Sequence, residues 1–277
     1  MKIRFSKMHG LGNDFVVIDA LTQPLTFTTE HARFLANRHF GVGCDQILLV
    51  ERAQTPGADF RYRIFNADGS EVGQCGNGAR CLARFVREQG LSAADTLRVR
   101  TQSRVLELAH TEGEAVRVNL GAPMFAPEQV PLHLPAAEAY RLSVDGHGEV
   151  VFAALSRGNP HAVIRVDAVD TAPVGTLGPA LQAQAAFPTS VNVGFLEVLG
   201  RREVRLRVYE RGAGETLACG SGACAAVVAG QRAGWLDAGA VKVRVPGGIL
   251  QVSWAGVDQP VWLEGPAVTV FKGVWCD

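Results

Sequence analysis

Two of the six cysteines in the 277-residue chain, Cys75 and Cys219, each lead into a glycine-rich turn: Cys75-Gly76-Asn77-Gly78-Ala79 and Cys219-Gly220-Ser221-Gly222-Ala223. Each turn opens a stretch with apolar residues at helical spacing, Asn77 to Gln89 and Ser221 to Gln231, with Gly90 and Gly234 near the expected ends. A cysteine at a helix start faces unpaired backbone N–H groups and the positive end of the dipole. Both stabilise a thiolate against the reference pKa of about 8.5. The chemistry on offer is therefore proton transfer by sulfur. A lone cysteine more commonly serves as a small buried apolar residue, so the case rests on the pair.

The pair emerges from a repeat. Gly12-Asn13-Asp14-Phe15-Val16-Val17-Ile18 resembles Gly158-Asn159-Pro160-His161-Ala162-Val163-Ile164, with Asn13 and Asn159 146 positions apart. Gln46 and Asn192 keep that offset of 146. From Phe65-Asn66-Ala67-Asp68-Gly69-Ser70-Glu71, facing Tyr209-Glu210-Arg211-Gly212-Ala213-Gly214-Glu215, the offset becomes 144, as a two-residue deletion requires. Cys75 and Cys219 keep the offset of 144, as do Leu97-Arg98-Val99-Arg100 with Val241-Lys242-Val243-Arg244.

Two equivalent thiols suit one reaction in particular. Inverting a stereocentre removes a proton from one face and delivers one to the other, so two similar domains meeting across a cleft supply a base and an acid whose roles exchange in reverse. The α-hydrogen of an amino acid is a weak acid, and neither a pyridoxal lysine nor a metal cage is indicated. No cofactor is expected. The N–H groups of Gly76, Asn77, Gly220 and Ser221 are placed to meet the growing charge on a substrate carboxylate instead. Cys75-x5-Cys81 and Cys219-x4-Cys224 do not fit the short ligand loops of zinc sites, so no metal is expected either.

The elements that must position these residues follow from pattern. Leu97-Arg98-Val99-Arg100-Thr101, Val116-Arg117-Val118 and Val204-Arg205-Leu206-Arg207-Val208 alternate with period 2, as half-buried strands do. The fold class is α+β with strands dominating: two pseudo-symmetric domains from a duplication, each a curled sheet around a central helix. The expected boundaries are 1–121 and 122–265, with the tail 266–277 packing back on the first domain. Pro123, Pro127, Pro131 and Pro135 make 122–148 a connector or edge strands.

Composition narrows the function. Lys plus Arg and Asp plus Glu number 27 each, which leaves no field for a nucleic-acid backbone or an anionic membrane. No apolar run approaches the roughly 20 residues that span a bilayer, and the N-terminus lacks the apolar stretch of a signal peptide. Six cysteines without a secretory signal suggest reduced thiols in the cytoplasm. A small-molecule substrate is the expected partner.

At these residues the chain resembles the diaminopimelate epimerase family. The resemblance is carried by His9-Gly10-Leu11-Gly12-Asn13-Asp14-Phe15, Gly43-Cys44-Asp45-Gln46, Phe65 to Glu71, Cys75 to Arg80, Gly158-Asn159-Pro160-His161, Val191-Asn192, Tyr209 to Thr216 and Cys219 to Ala223. It implies a cytoplasmic, homodimeric enzyme that interconverts LL- and meso-diaminopimelate for lysine and peptidoglycan synthesis. Cys75 and Cys219 would be the acid/base pair. Asn13, Gln46, Asn66, Asn159, Asn192, Glu210 and Arg211 would line the substrate, and His161 and Glu210 would tune the thiols. Chemistry agrees with these roles, because a substrate with a second amino-acid head needs a forked donor such as Arg211 and an acid such as Glu210 to hold it.

Taken singly, the motifs have plainer readings. Asn66-Ala67-Asp68-Gly69 and Gly212-Ala213-Gly214 are plausible tight turns. Asn159-Pro160 can begin a turn with His161 beside it. Asn13, Gln46 and Asn192 can be polar loop contacts, and Arg211 one more solvated arginine. Of the other cysteines, Cys81 and Cys224 read as buried helix residues, Cys44 as lining the cleft without reacting, and Cys276 as incidental. The competing functions are a proline racemase or hydroxyproline epimerase, whose substrate leaves Arg211 unexplained, and a thiol redox switch.

Overall fold

Alternation does produce strands: in Thr96–Arg100, Leu97 and Val99 are buried while Thr96 and Arg98 are exposed. The computed structural model describes residues 2–73, 75–111 and 113–276. The chain falls into two units, Met1–Asn119 with Glu264–Asp277, and Leu120–Leu263.

The first unit runs β1 (Lys2–Gly10), β2 (Asn13–Asp19), α1 (Thr29–Ala36), β3 (Gln46–Arg52), β4 (Phe60–Asn66), β5 (Glu71–Val72), α2 (Gly76–Glu88), β6 (Thr96–Arg100), β7 (Val105–His110) and β8 (Ala115–Asn119). In the second, β9 (Tyr140–Val144) precedes the same series. It comprises β10 (Gly148–Ser156), β11 (Pro160–Val166), α3 (Val174–Gln182), β12 (Asn192–Gly200), β13 (Glu203–Glu210), β14 (Gly214–Glu215), α4 (Gly220–Arg232), β15 (Gly239–Val245) and β16 (Gly248–Trp254), and ends with β17 (Val261–Pro266), whose residues from Glu264 on belong to the first unit. A last strand, β18 (Val268–Cys276), lies antiparallel to β1.

The pairing senses repeat with the order. β2–β3 and β4–β6 are parallel, and so are β11–β12 and β13–β15. β1–β2, β3–β4 and β6–β7 are antiparallel, as are β10–β11, β12–β13 and β15–β16. Parallel neighbours need a crossover connection. In unit 1, α1 lies in the first crossover and α2 in the second; α3 and α4 do the same in unit 2. The fold is α+β and duplicated. Within 122–148, a short 3-10 turn at Pro127–Gln129 is followed by β9, which pairs with β10.

Each sheet curls around its longer helix. α2 packs against β1, β2, β3, β7, β8 and β18, and α4 against β10, β11, β12, β13 and β16. α4 is built from Ala, Val and Gly and is buried from Gly222 through Gly230, as expected of a helix apolar on all sides. Both helices stop at a left-handed glycine just beyond the cap, Gly90 at φ 67° and Gly234 at φ 70°. Their starts at Gly76 and Gly220 are one residue earlier than the apolar pattern indicates, because the glycines carry no periodicity of their own.

Candidate active site

Unit 1 gathers its polar candidates at the ends of β2, β3, β4 and α2. The β1–β2 turn passes through Leu11 at φ 58° and Gly12 at φ 90°, the paired left-handed conformation of a tight hairpin, and delivers Asn13 at the start of β2. Gln46 opens β3 directly opposite Asn66, which closes β4, and its Nε2 donates to Asn66 Oδ1 at 2.9 Å. Cys75 is the N-cap of α2 in extended conformation, and its Sγ accepts from the Gly78 N–H at 3.5 Å. The same sulfur donates to Asn13 Oδ1 at 3.8 Å, and Asn77 Nδ2 donates to that oxygen at 3.2 Å. The thiol thus has a partner in either protonation state: the carbonyl for S–H, the helix N–H for the thiolate.

A charged cluster steadies Asn13. Its Nδ2 donates to Asp45 Oδ2 at 2.9 Å, and Arg38 bridges Asp45 and Asp14. Burial would raise the Asp14 pKa, but hydrogen bonds from Arg38 and Lys7, with the Asp45 N–H, hold the carboxyl well below its usual range. This cluster was not identified from the sequence. Asp45 lies in the Gly43-Cys44-Asp45-Gln46 segment, but nothing in its neighbours ties it to residue 13.

Unit 2 builds the corresponding arrangement with different side chains. Gly158, at φ 92°, precedes Asn159 as Gly12 precedes Asn13. Cys219 is the N-cap of α4 but makes no side-chain cap bond; its Sγ donates to Glu210 Oε2 at 2.9 Å. Thr216 Oγ1 donates to the other carboxylate oxygen. Burial first, then the neighbouring Glu210 charge and its acceptance of the thiol proton, push the Cys219 pKa well above its ordinary 9.0. The residue is 4% exposed.

His161 is linked to the sulfur through two intermediaries. Its Nε2 lies 3.1 Å from Asn159 Oδ1, Asn159 Nδ2 donates to Ser221 Oγ at 3.3 Å, and that oxygen stands 3.7 Å from Cys219 Sγ. Burial, with the charges of Arg157 and Arg211, pushes the imidazole pKa down to about 3, so it is neutral at physiological pH. Neutral and hydrogen-bonded to a carbonyl, it serves as a donor that fixes which way the Asn159 amide faces. Asn192 uses both ends of its amide, donating to Pro160 O at 3.0 Å and accepting from the Arg211 N–H at 3.0 Å. The Arg211 side chain is exposed, with one nitrogen donating to Thr189 O at 2.9 Å.

Gly76 and Gly220 begin α2 and α4, and Asn77 and Ser221 follow in the first turns, where backbone donors are in excess. One expectation is corrected. Cys44 does not line this site: it is 2% exposed in a core with Val16, Ile47 and Leu49, and burial pushes its pKa up to about 12. Apolar neighbours on adjacent strands draw it inward although Asp45 beside it faces the polar cluster. Cys81 and Cys224 are fully buried, and Cys276 is exposed. Among the described residues, no group of three or more His, Cys, Asp or Glu side chains is placed to hold a metal ion. None of the helices there is long and apolar enough to cross a membrane.

A sequence model of diaminopimelate epimerase matches residues 5–126 and 153–270, which include Cys75, Cys219 and the polar residues gathered around them. The chain belongs to the diaminopimelate epimerase family. The diaminopimelate epimerase of Ectopseudomonas mendocina is 56% identical over 274 residues, covering 99% of both chains. That of Thioalkalivibrio sulfidiphilus is 56% identical over 276 residues, again covering 99% of each. Among solved structures, a hydroxyproline epimerase from Agrobacterium vitis superposes with a TM-score of 0.73 at 15% identity, covering 99% of this chain and 92% of its own. A phenazine biosynthesis protein from Bacillus anthracis reaches 0.70 at 18%, covering 100% of each. At such identities these structures establish the fold that the family shares.

Proposed function

We propose that the protein is a cofactor-independent epimerase that interconverts LL- and meso-2,6-diaminopimelate, in lysine and peptidoglycan biosynthesis, by passing protons through two thiols. The observation that carries this reading is a cysteine at the N-cap of the buried helix in each unit of a diaminopimelate epimerase family chain.

The difference between the two caps supports one assignment of the resting protons. Cys219, with its S–H on the Glu210 carboxylate, is the resting acid. Cys75, whose sulfur accepts from a helix N–H, is the resting thiolate. Cys75 takes the α-proton from one face, and the electrons of that C–H bond move toward the substrate carboxylate. Backbone donors at Gly76-Asn77 and Gly220-Ser221 meet the charge there. Cys219 then delivers its proton to the opposite face, and the reverse reaction exchanges the roles.

Recognition of the distal amino-acid head falls to the remaining polar groups. Arg211 offers a guanidinium fork to the distal carboxylate. Glu210 retains lone pairs for an ammonium, and Asn13, Gln46, Asn66, Asn77, Asn159 and Asn192 offer amide donors and acceptors. The protein acts in the cytoplasm as a homodimer. Six free thiols fit a reducing compartment, and the exposed Val270, Phe271 and Val274 on β18 fit a partner surface.

Incubation with LL-diaminopimelate in D2O, with a chelator and no added cofactor, should give the meso isomer carrying α-deuterium. No exchange would sink the assignment. Cys75→Ala and Cys219→Ala should each abolish inversion, because one face then lacks a proton carrier; normal turnover in either variant excludes the two-thiol mechanism.

A further inference from the structure

We propose that Tyr62 is a positioning residue for the Cys75 thiol, acting through the cysteine's backbone rather than through substrate. The inference rests on the reading of Cys75 as the reacting base. Tyr62 lies inside β4, four residues before Asn66 at the strand's end, and is 2% exposed. One phenolic oxygen serves both main-chain groups of Cys75: it donates to the carbonyl at 3.0 Å and accepts from the N–H at 3.0 Å. That carbonyl also accepts the first helical bond, from the Ala79 N–H at 2.9 Å.

The double contact fixes the residue on which the sulfur hangs. As N-cap, Cys75 sits at φ −144° and ψ 122°, outside the helix, where the helical ladder does not set its N–H. With both peptide groups pinned by one rigid ring, the sulfur stays beside the Gly78 N–H that favours its thiolate. Burial, the first cause, and the nearby thiol keep the phenol protonated, so it remains a donor and an acceptor across the working range of pH.

The device is confined to one half of the duplication. At the offset of 144, Tyr62 faces Leu206, which is equally buried but has no hydroxyl. Cys219 instead has the Glu210 carboxylate on its sulfur, where the first half has Asn66 at the matching position. The base is held by its backbone and the acid by its proton, a division that a pair of symmetric thiols would not need.

Tyr62→Phe preserves the ring and removes both contacts. The expected result is a kcat lowered by roughly 10- to 100-fold, the scale of loss from small misplacement of a reacting group, with KM within about threefold because no substrate-facing side chain changes. A merely structural loss would not move a titration, so the deciding readout is the pH dependence of iodoacetamide labelling at Cys75, resolved from Cys219 by peptide mass. The Cys75 midpoint should move up and its labelling at pH 7 slow several-fold, with Cys219 unaltered. An unmoved Cys75 midpoint, or equal changes at both thiols, overturns the proposal. Placing 4-aminophenylalanine at position 62, which restores a group able to donate and accept, should bring back the midpoint and most of kcat; failure to rescue also overturns it. Cys75→Ala separates the two claims, since an active Cys75→Ala enzyme refutes the base assignment itself, whereas an inactive one with normal Tyr62→Phe behaviour refutes only the clamp.

Discussion

At the scale of the residue, the asymmetry between Asn66 and Glu210 carries the most chemical weight. Both end a strand and lie nine positions before their cysteine, and Glu210 takes a hydrogen bond from the Cys219 sulfur. Its carboxylate accepts the Cys219 proton and opposes a second negative charge beside it. Glu210→Gln keeps the shape and removes the charge. Burial still raises the Cys219 pKa, but the two contributions of Glu210 vanish, so the labelling midpoint of Cys219 should fall toward its ordinary 9.0. Turnover should fall by about 10²-fold or more, the usual range for a displaced acid–base group. Labelling against pH by mass spectrometry checks this; a midpoint that stays put shows burial alone sets the titration. The position of Glu210 opposite Asn66 was legible from the repeat and its pairing with a thiol only from the family resemblance, whereas the routing of His161 through Asn159 and Ser221 was legible from neither. Sequence can mark a histidine near a thiol, whereas an intervening amide is a property of three side chains meeting in space.

At the scale of the element, helix starts decide where the thiols sit, and their glycines are tight for a reason. A Cβ on Gly222 would lie 3.2 Å from Cys219 Sγ and 3.0 Å from a Val208 methyl, closer than nearly all real contacts. Helix propensity favours alanine over glycine by up to about 1 kcal/mol, so Gly222→Ala should cost little stability and leave Tm within a few degrees. The sulfur, however, must move, and kcat should drop about tenfold or more. Differential scanning calorimetry beside steady-state kinetics tests the split: a large fall in Tm with kcat per folded molecule unchanged contradicts it. The elements themselves were readable because the period-2 runs and helical stretches are long. What escaped was Tyr62, which reads as one more inward residue of an alternating strand, Phe60 to Ile64, and whose hydroxyl matters only because α2 begins beside it.

At the scale of the whole chain, the first unit is not continuous in sequence, because the tail beyond the second copy returns to it. Its strand β1 pairs with β2 on one side and with β18 on the other, the latter from Lys2↔Cys276 through His9↔Val268. Trp275 stacks on Phe34 with ring centroids 5.8 Å apart and meets the His31 ring edge-on at 5.2 Å. The repeat made the two halves visible, because a constant offset survives substitution. The return of the tail was only suggested by its lying beyond the second copy, since a single strand carries no mark of its partner. Removing residues 268–277 should therefore strip β1 of one neighbour and uncover Ile3 and Phe5, which are now buried. The elements from β9 to β16 lie wholly within the second unit and should keep their protection. Hydrogen exchange read by mass spectrometry should show faster exchange in β1, β2 and α1 with β11, β12 and α4 unchanged, and no inversion, because Cys75 depends on the weakened unit. Uniform loss of protection across both units would show that they do not unfold separately, and unchanged protection in β1 would show that β18 is dispensable to it.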